Sequence, residues 1–150
     1  MYHMIVKHIA RKNFLRVSEK RFDALLNGCA QDVHHRFGGN HALGGERHDR
    51  EALRQWFGRL GRLGKHLTLT VEDVWVKGLP HDTTVIIRWS ASDTLPDGSP
   101  YHNRGVHIVK MKWGQVIDID AHEDSQAVAE NLKKQAAMGI AEAAASPIVS

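Results

Sequence analysis

The chain of 150 residues has the length of one ordinary domain, enough for a single two-layer core but not for two independent ones. Its 42% hydrophobic and 25% charged residues are typical of a globular protein and exclude a disordered one. The formal charge of +3 is too small to indicate a nucleic-acid partner. We therefore predict one domain over residues 1–150, with a core over about 5–124 and a C-terminal helix and tail over 125–150.

The N-terminal residues predict an amphipathic helix of the domain itself. The start, MYHMIVKHIARKNFLR, lacks the apolar stretch and cleavage site of a secretory signal, and no run approaches the length of a membrane span. Its basic, acid-free character also resembles an organelle presequence, which remains the alternative. The lone Cys29 follows an apolar run and is expected to be a buried, inert thiol. We expect a cytoplasmic protein with no membrane or nucleic-acid partner.

Helices and one short strand are predicted in the first half of the chain. The first helix is marked by Ile5, Ile9, Leu15 and Val17, and the second by Phe22, Leu25 and Leu26. Ser18 is the expected N-cap of the second helix, and a strand follows over 32–37. The segment GGNHALGGER lacks the spacing of a phosphate-binding loop and is expected to be irregular. Asp49 then caps a third helix whose core stripe is Leu53, Trp56, Phe57 and Leu60.

The second half of the chain changes to the period of β-strands. LTLTVEDVWVKG and TTVIIRWSAS are rich in β-branched and aromatic residues and are separated by the turn signal GLPHD. The next strand runs from Tyr101 to Lys112. A turn at Trp113-Gly114 then leads into a last strand that ends near Asp124. A C-terminal helix begins at Ser125. This order predicts an α+β fold with helices on one face of a curved antiparallel sheet.

The last hairpin contains two His and three Asp in the stretch NRGVHIVKMKWGQVIDIDAHED. If Trp113 and Gly114 form a two-residue turn, His107 faces Asp120 in a non-hydrogen-bonded pair, with Cα atoms about 4.5 Å apart. The carboxylate would then favour protonated His107 and raise its pKa. A three-residue loop would instead place the two residues on opposite faces. The predicted contact fits a general acid/base pair or an ordinary ion pair on a solvated face.

A metal site is the other interpretation of this hairpin. His107, Asp118, Asp120 and His122 offer nitrogen and oxygen ligands of the kind that zinc or iron uses. However, no HExxH or cysteine-based motif accompanies them. We therefore predict no metal and no cofactor.

Several longer stretches of the sequence, taken together, resemble one known family. The stretches ALLNGCAQDVHHRF, GGERHDREALRQWFGRL, LTLTVEDVWVKG, TVIIRW and LPDGSPYHNRGVHIVKMKWGQVIDIDAHED lie between Phe14 and Asp124. They resemble the SnoaL-like branch of the nuclear-transport-factor-2-like superfamily, which includes polyketide cyclases and ketosteroid isomerase. The resemblance implies a cone-shaped α+β roll, in which a curved, mixed or antiparallel sheet wraps around N-terminal helices and encloses an apolar pocket. It also implies a homodimer.

The resemblance assigns catalytic roles to the predicted pair. In the cyclases an Asp on the last strand and a His on the strand before it act as acid/base and its partner, and Asp120 and His107 are the matching positions. The segment QVIDIDAHED departs from the EHW-type sequence of the cyclases, which leaves open a catalytic Asp one or two residues away. Expected substrate-binding residues are Asn103, His35, His41, Trp56, Trp89 and His122.

Two functions follow from these expectations. The first is an enzyme that carries out cofactor-independent, enolisation-type chemistry, such as aldol cyclisation, isomerisation or dehydration, on an apolar oxygenated small molecule. The second is a non-catalytic module of the same fold that binds a ligand or mediates dimerisation.

Overall fold

A curved six-stranded sheet forms one wall of the molecule, and helices pack on its inner face. The computed structural model describes all 150 residues. The helices are α1 (Tyr2–Ser18), α2 (Phe22–Leu26), α3 (Arg50–Leu63) and α4 (Ser125–Ala137), with a 3₁₀ turn at Ala141–Ala144. The strands are β1 (Cys29–Phe37), β2 (Gly45–Arg47), β3 (Thr68–Leu79), β4 (Asp82–Thr94), β5 (Pro100–Lys112) and β6 (Gln115–Glu123).

The strand order is β2-β1-β6-β5-β4-β3, and the sheet does not close into a barrel. The predicted antiparallel hairpins β3–β4 and β5–β6 are present. Strand β1 returns beside β6 in a parallel pairing, which makes the sheet mixed. The predicted α+β class is therefore confirmed, and the parallel pair brings the histidines of β1 next to the last hairpin.

Alternation along the long strands separates the inner face from the outer face. On β4, Val85, Ile87 and Trp89 are all buried, whereas Ile86 between them is 36% exposed. The inner residues pack against Phe14 of α1 and against apolar residues of α3 and α4 in one hydrophobic core. This burial is the main favourable contribution to folding.

The first helix forms, but its buried face differs from the predicted one. Ile5 and Leu15 are 50% and 56% exposed, while Val6, Ala10 and Phe14, spaced by four residues, face the core. Ser18 is the last residue of α1 and does not cap α2. Its hydroxyl donates to the carbonyl of Phe14 and accepts the amide N–H of Leu69, the residue after the first of β3.

The other predicted helix starts are confirmed. Asp49 caps α3, because its carboxylate accepts the amide N–H of Ala52 at 2.8 Å. Asp124 caps α4 in the same way, just before the predicted first residue Ser125. The chain after α4 runs back along α3 and β2. There, Ser146 and Ile148 accept hydrogen bonds through their backbone carbonyls from Arg59 and Arg47.

The outer face of the sheet carries both polar and apolar side chains. Trp75, Ile86 and Ile108 follow one another across β3, β4 and β5 and are 36% to 46% exposed. None of the helices combines the length and apolar character needed to cross a bilayer. The homodimer implied by the family resemblance stays a prediction.

Gly105 on β5 allows the close packing of the last hairpin against Trp89. A Cβ at this position would lie 2.4 Å from the carbonyl oxygen of His122 and 2.7 Å from the Trp89 ring. We therefore expect Gly105→Ala to lower the free energy of unfolding by about 1–3 kcal/mol, the usual cost of overpacking. Urea unfolding measures this change. Gly28→Ala is the control, since its Cβ would meet only an ordinary contact at 3.5 Å, and equal losses in the two variants would contradict the prediction.

Candidate functional site

A cavity of about 160 Å³ lies between the inner face of the sheet and helices α1, α3 and α4. Of the 32 residues that line it, 25 are hydrophobic. A concave, mostly apolar space with a few polar groups is typical of a small-molecule site. The polar side chains in this lining define what the cavity can bind.

A β-bulge in the last hairpin decides which of the predicted residues reach this cavity. The two-residue turn at Trp113-Gly114 forms as predicted, with both residues at positive φ. However, Met111 pairs with Val116 and Lys110 with Asp118, so Ile117 is the extra residue of β6. Beyond the bulge the register is shifted by one residue.

The predicted contact between His107 and Asp120 is therefore wrong. His107 lies opposite Ala121, and Asp120 lies opposite Ile108 on the outer face. Asp120 instead accepts a hydrogen bond from His122 at 3.0 Å and lies 3.9 Å from Arg36. Because Asp120 and His122 point away from the cavity, neither can contact a ligand bound there.

Five of the eight predicted site residues line the cavity, namely His35, Trp56, Trp89, Asn103 and His107. Asp120 and His122 lie on the outer face, and His41 lies in the loop between β1 and β2 without lining the cavity. No group of three or more His, Cys, Asp or Glu side chains is placed to bind a metal ion.

His107 is held as a neutral imidazole with a defined tautomer. Trp89 Nε1 donates to His107 Nδ1 at 2.7 Å, so the ring proton of the neutral form lies on Nε2. Burial, assisted by His122, lowers the pKa of His107 to about 4, although Asp120 opposes the shift. Near neutral pH, His107 therefore presents an N–H donor and no charge.

His35 repeats this arrangement on β1. Arg47 donates to His35 Nδ1 at 2.6 Å, which again leaves the neutral-form proton on Nε2. Burial lowers the pKa of His35 well below its usual value, and the positive charge of Arg47 adds to this effect. The cavity thus contains two neutral imidazoles that share one tautomer.

Arg47 is fully buried and has no carboxylate partner. Its guanidinium donates to the carbonyls of Ile148 and Gly44 as well as to His35, and it lies 5.5 Å from the Trp56 ring centroid. Burial lowers the pKa of Arg47 to about 10, which still keeps it charged at neutral pH. A buried cation satisfied by neutral acceptors makes the surroundings of His35 electropositive.

Both indole N–H groups that were expected to serve a ligand are used within the protein. Trp56 Nε1 donates to the carbonyl of Leu43 at 2.8 Å, and Trp89 Nε1 donates to His107. The two rings therefore contribute apolar surface to the cavity. Cys29 also lines it, but burial raises the pKa of its thiol to about 11, so it is not a thiolate nucleophile.

Among the cavity residues that sequence reasoning missed are Asp93 and Tyr101, which carry a carboxylate and a phenol. Both were detectable, because Asp93 continues the alternation of Trp89 and Ala91 along β4, and Tyr101 shares the parity of His107 on β5. Asp93 is the only charged side chain among the residues that line the cavity.

Glu123 is a second interior carboxylate, outside the cavity lining. Neither carboxylate oxygen has a hydrogen-bond partner, and burial raises the pKa of Glu123 to about 7. Its carboxylate lies beside Gly38, which belongs to the same loop as His41. The Nε2 atom of His41 is likewise buried without a partner, and burial lowers the pKa of its ring.

The neutral state of His107 makes stability depend on pH. Below pH 6.5 the unfolded chain takes up a proton at this residue that the folded protein does not accept until about pH 4. We expect this group to remove about 3 kcal/mol of stability as the pH falls through that window, and none above it. Urea unfolding of wild type and His107→Gln at pH 7.5 and pH 4 isolates this contribution. His8→Gln, an exposed control, should follow the wild type, and parallel curves for wild type and His107→Gln would contradict the assignment.

Glu123 has the opposite pH dependence. Its folded pKa lies above the unfolded value, so its contribution to stability is lost as the pH rises from about 4.5 to 7. We expect Glu123→Gln to raise the free energy of unfolding by about 2–3 kcal/mol at pH 8 relative to its effect at pH 4.5. Thermal unfolding at both pH values tests this, with exposed Glu130→Gln as control. A pH-independent effect of Glu123→Gln would show that the carboxylate is not held protonated.

Solved structures similar to this chain share its fold. An NTF2-like protein of unknown function from Burkholderia pseudomallei has a TM-score of 0.72 at 13% identity, covering 83% of this chain and 94% of that one. TerC, co-crystallised with polyporic acid, has a TM-score of 0.68 at 15% identity, covering 85% and 97%. PrhC from Penicillium brasilianum has a TM-score of 0.70 at 15% identity, covering 89% and 94%. Among curated proteins, none matches the sequence.

The family comparison covers most of the chain. The model of the SnoaL-like domain matches residues 10–119, which include most of the residues that line the cavity. Together with the fold, this match supports a small-molecule enzyme or binding role. The chain is a member of the SnoaL-like domain family.

Proposed function

We propose that this protein is a small-molecule enzyme that moves a proton on an apolar, oxygenated substrate without a cofactor. The observation that carries the proposal is the pair of neutral imidazoles, His35 and His107, held in the same tautomer at the wall of an apolar cavity. Each offers an N–H donor to a ligand oxygen. Enolisation-type reactions such as isomerisation, dehydration or aldol cyclisation need such donors and a carboxylate, and no external reagent.

The surroundings favour neutral substrates over charged ones. A hydrogen bond from a neutral imidazole to a carbonyl or hydroxyl oxygen is strengthened where water is excluded. The remaining lining is largely aliphatic and aromatic, which suits a cyclic hydrocarbon skeleton. A non-catalytic binding module would share these features, so turnover is the measurement that separates the two functions.

The donor role predicts selectivity for oxygenated ligands. We expect 2-naphthol to bind about tenfold more tightly than naphthalene, the size of effect that one net hydrogen bond gives. Quenching of tryptophan fluorescence measures both affinities, because Trp56 and Trp89 line the cavity. His107→Phe should reduce the preference, whereas His107→Gln, which retains an acceptor for Trp89 and a donor, should keep part of it. Equal affinity for the two ligands would rule out the donor role.

The catalytic proposal is tested by exchange of carbon-bound protons. We expect the protein to catalyse saturable exchange of the α-protons of 2-tetralone in D₂O, followed by proton NMR. Ala91→Phe, which fills the cavity, should abolish exchange, and His122→Gln on the outer face should not change it. Binding of 2-tetralone without any exchange would support the binding module instead.

A further inference from the structure

Asp93 lies at the end of β4 with one carboxylate oxygen anchored and the other free. Its Oδ1 atom accepts the amide N–H groups of His66 and Thr94, at 3.2 and 2.7 Å. Its Oδ2 atom has no hydrogen-bond partner within the protein. The side chain is only 8% exposed and lines the cavity. It is therefore a positioned carboxylate with a free basic oxygen in an otherwise uncharged space.

Tyr101 lies directly opposite Asp93 across the β4–β5 pairing and lines the same cavity. Its phenolic oxygen accepts a hydrogen bond from Asn103 Nδ2 at 2.8 Å. The Asn103 amide is itself fixed, because it donates to the carbonyl of Asp124 and accepts the amide N–H groups of Arg104 and Asp124. With its acceptor side occupied, Tyr101 has its own O–H left to donate.

Burial keeps this phenol protonated. It raises the pKa of Tyr101, and the carboxylates nearby, Asp93 included, act in the same direction. A carboxylate acceptor and a phenol donor thus lie side by side at one end of the cavity. These are the two groups that proton removal next to a carbonyl requires.

We propose that Asp93 is the catalytic base and Tyr101 the hydrogen-bond donor to the carbonyl oxygen of an elongated ketone that carries a second oxygen at its far end. This inference rests on the proposed function. The C–H bond α to the carbonyl breaks, its proton passes to Asp93 Oδ2, and the electron pair shifts onto the carbonyl oxygen facing Tyr101. Return of the proton to another carbon of the enolate completes an isomerisation with no other reactant.

The distance between the two polar ends defines the substrate class. Tyr101 and His107 are six residues apart on β5, a separation of at most about 20 Å along an extended strand. Between them, Gly105 has no side chain, and the Asn103 amide is occupied by hydrogen bonds within the protein. The facing residues on β4 are Trp89 and Ala91. A substrate that contacts both ends is therefore apolar in the middle, with its reactive carbonyl near Asp93 and a hydroxyl or carbonyl at the histidines.

The decisive variant is Asp93→Asn. The amide oxygen can still accept the amide N–H groups of His66 and Thr94, so the fold should be kept while the basic oxygen is lost. We expect α-proton exchange of 6-hydroxy-2-tetralone to fall by at least about 100-fold, as for removal of a general base, with affinity within a few-fold of wild type. Tyr101→Phe should lower exchange by about tenfold. Asp120→Asn on the outer face is the matched control and should exchange like wild type.

The outcomes separate this inference from the proposed function. Exchange by wild type that survives unchanged in Asp93→Asn would overturn the role of Asp93 and leave the proposed function standing. Absence of exchange by wild type would overturn the proposed function itself. The two-ended substrate is tested by affinity: 6-hydroxy-2-tetralone should bind about tenfold more tightly than 2-tetralone, and His107→Phe should remove this difference. Equal affinities in wild type would contradict it.

Discussion

The single extra residue at Ile117 determines what the cavity of this protein contains. Because successive side chains of a strand point to opposite faces, one inserted residue exchanges the faces of everything beyond it. Ile119 and Ala121 thereby join the core, and Asp120 moves to the outer face of the sheet. Without the bulge, a carboxylate would contact His107 and favour its charged form. With it, His107 has an indole donor as its hydrogen-bond partner, and its neutral form is favoured.

The cavity keeps its two imidazoles neutral by giving each of them a hydrogen-bond donor as its partner. Trp89 and Arg47 both donate to a ring nitrogen, and a donor at that position is incompatible with a second proton on the ring. Desolvation acts in the same direction, since it penalises the imidazolium. The donors are therefore set before any ligand arrives, which limits the reorganisation that a reaction would otherwise require. Two backbone amides hold one oxygen of Asp93 in place among these groups.

Much of the fold was predictable from sequence because periodicity and turn chemistry are local. The long strands, the two-residue turn at Trp113-Gly114, the cap at Asp49 and the α+β order all follow from short windows. The buried face of α1 was misassigned, since Ile5 and Leu15 are apolar but packing selects Val6, Ala10 and Phe14. The bulge was not predictable, because no Gly, Pro or Asn marks Ile117. Asp93 and Tyr101 were missed, although strand alternation places them on the inner face, because only the packed helices show that a cavity lies there.

The buried guanidinium of Arg47 ties the C-terminal segment to the chemistry of the cavity. One of its hydrogen bonds goes to the backbone carbonyl of Ile148 and another to His35. Since a carbonyl acceptor is supplied by any residue type, the side chains of this segment can vary without disturbing the site, whereas a change in its path cannot. A deletion there would leave a buried positive charge short of one acceptor, and the effect would reach His35. The segment thus tolerates substitution but is sensitive to changes in length, although it does not line the cavity.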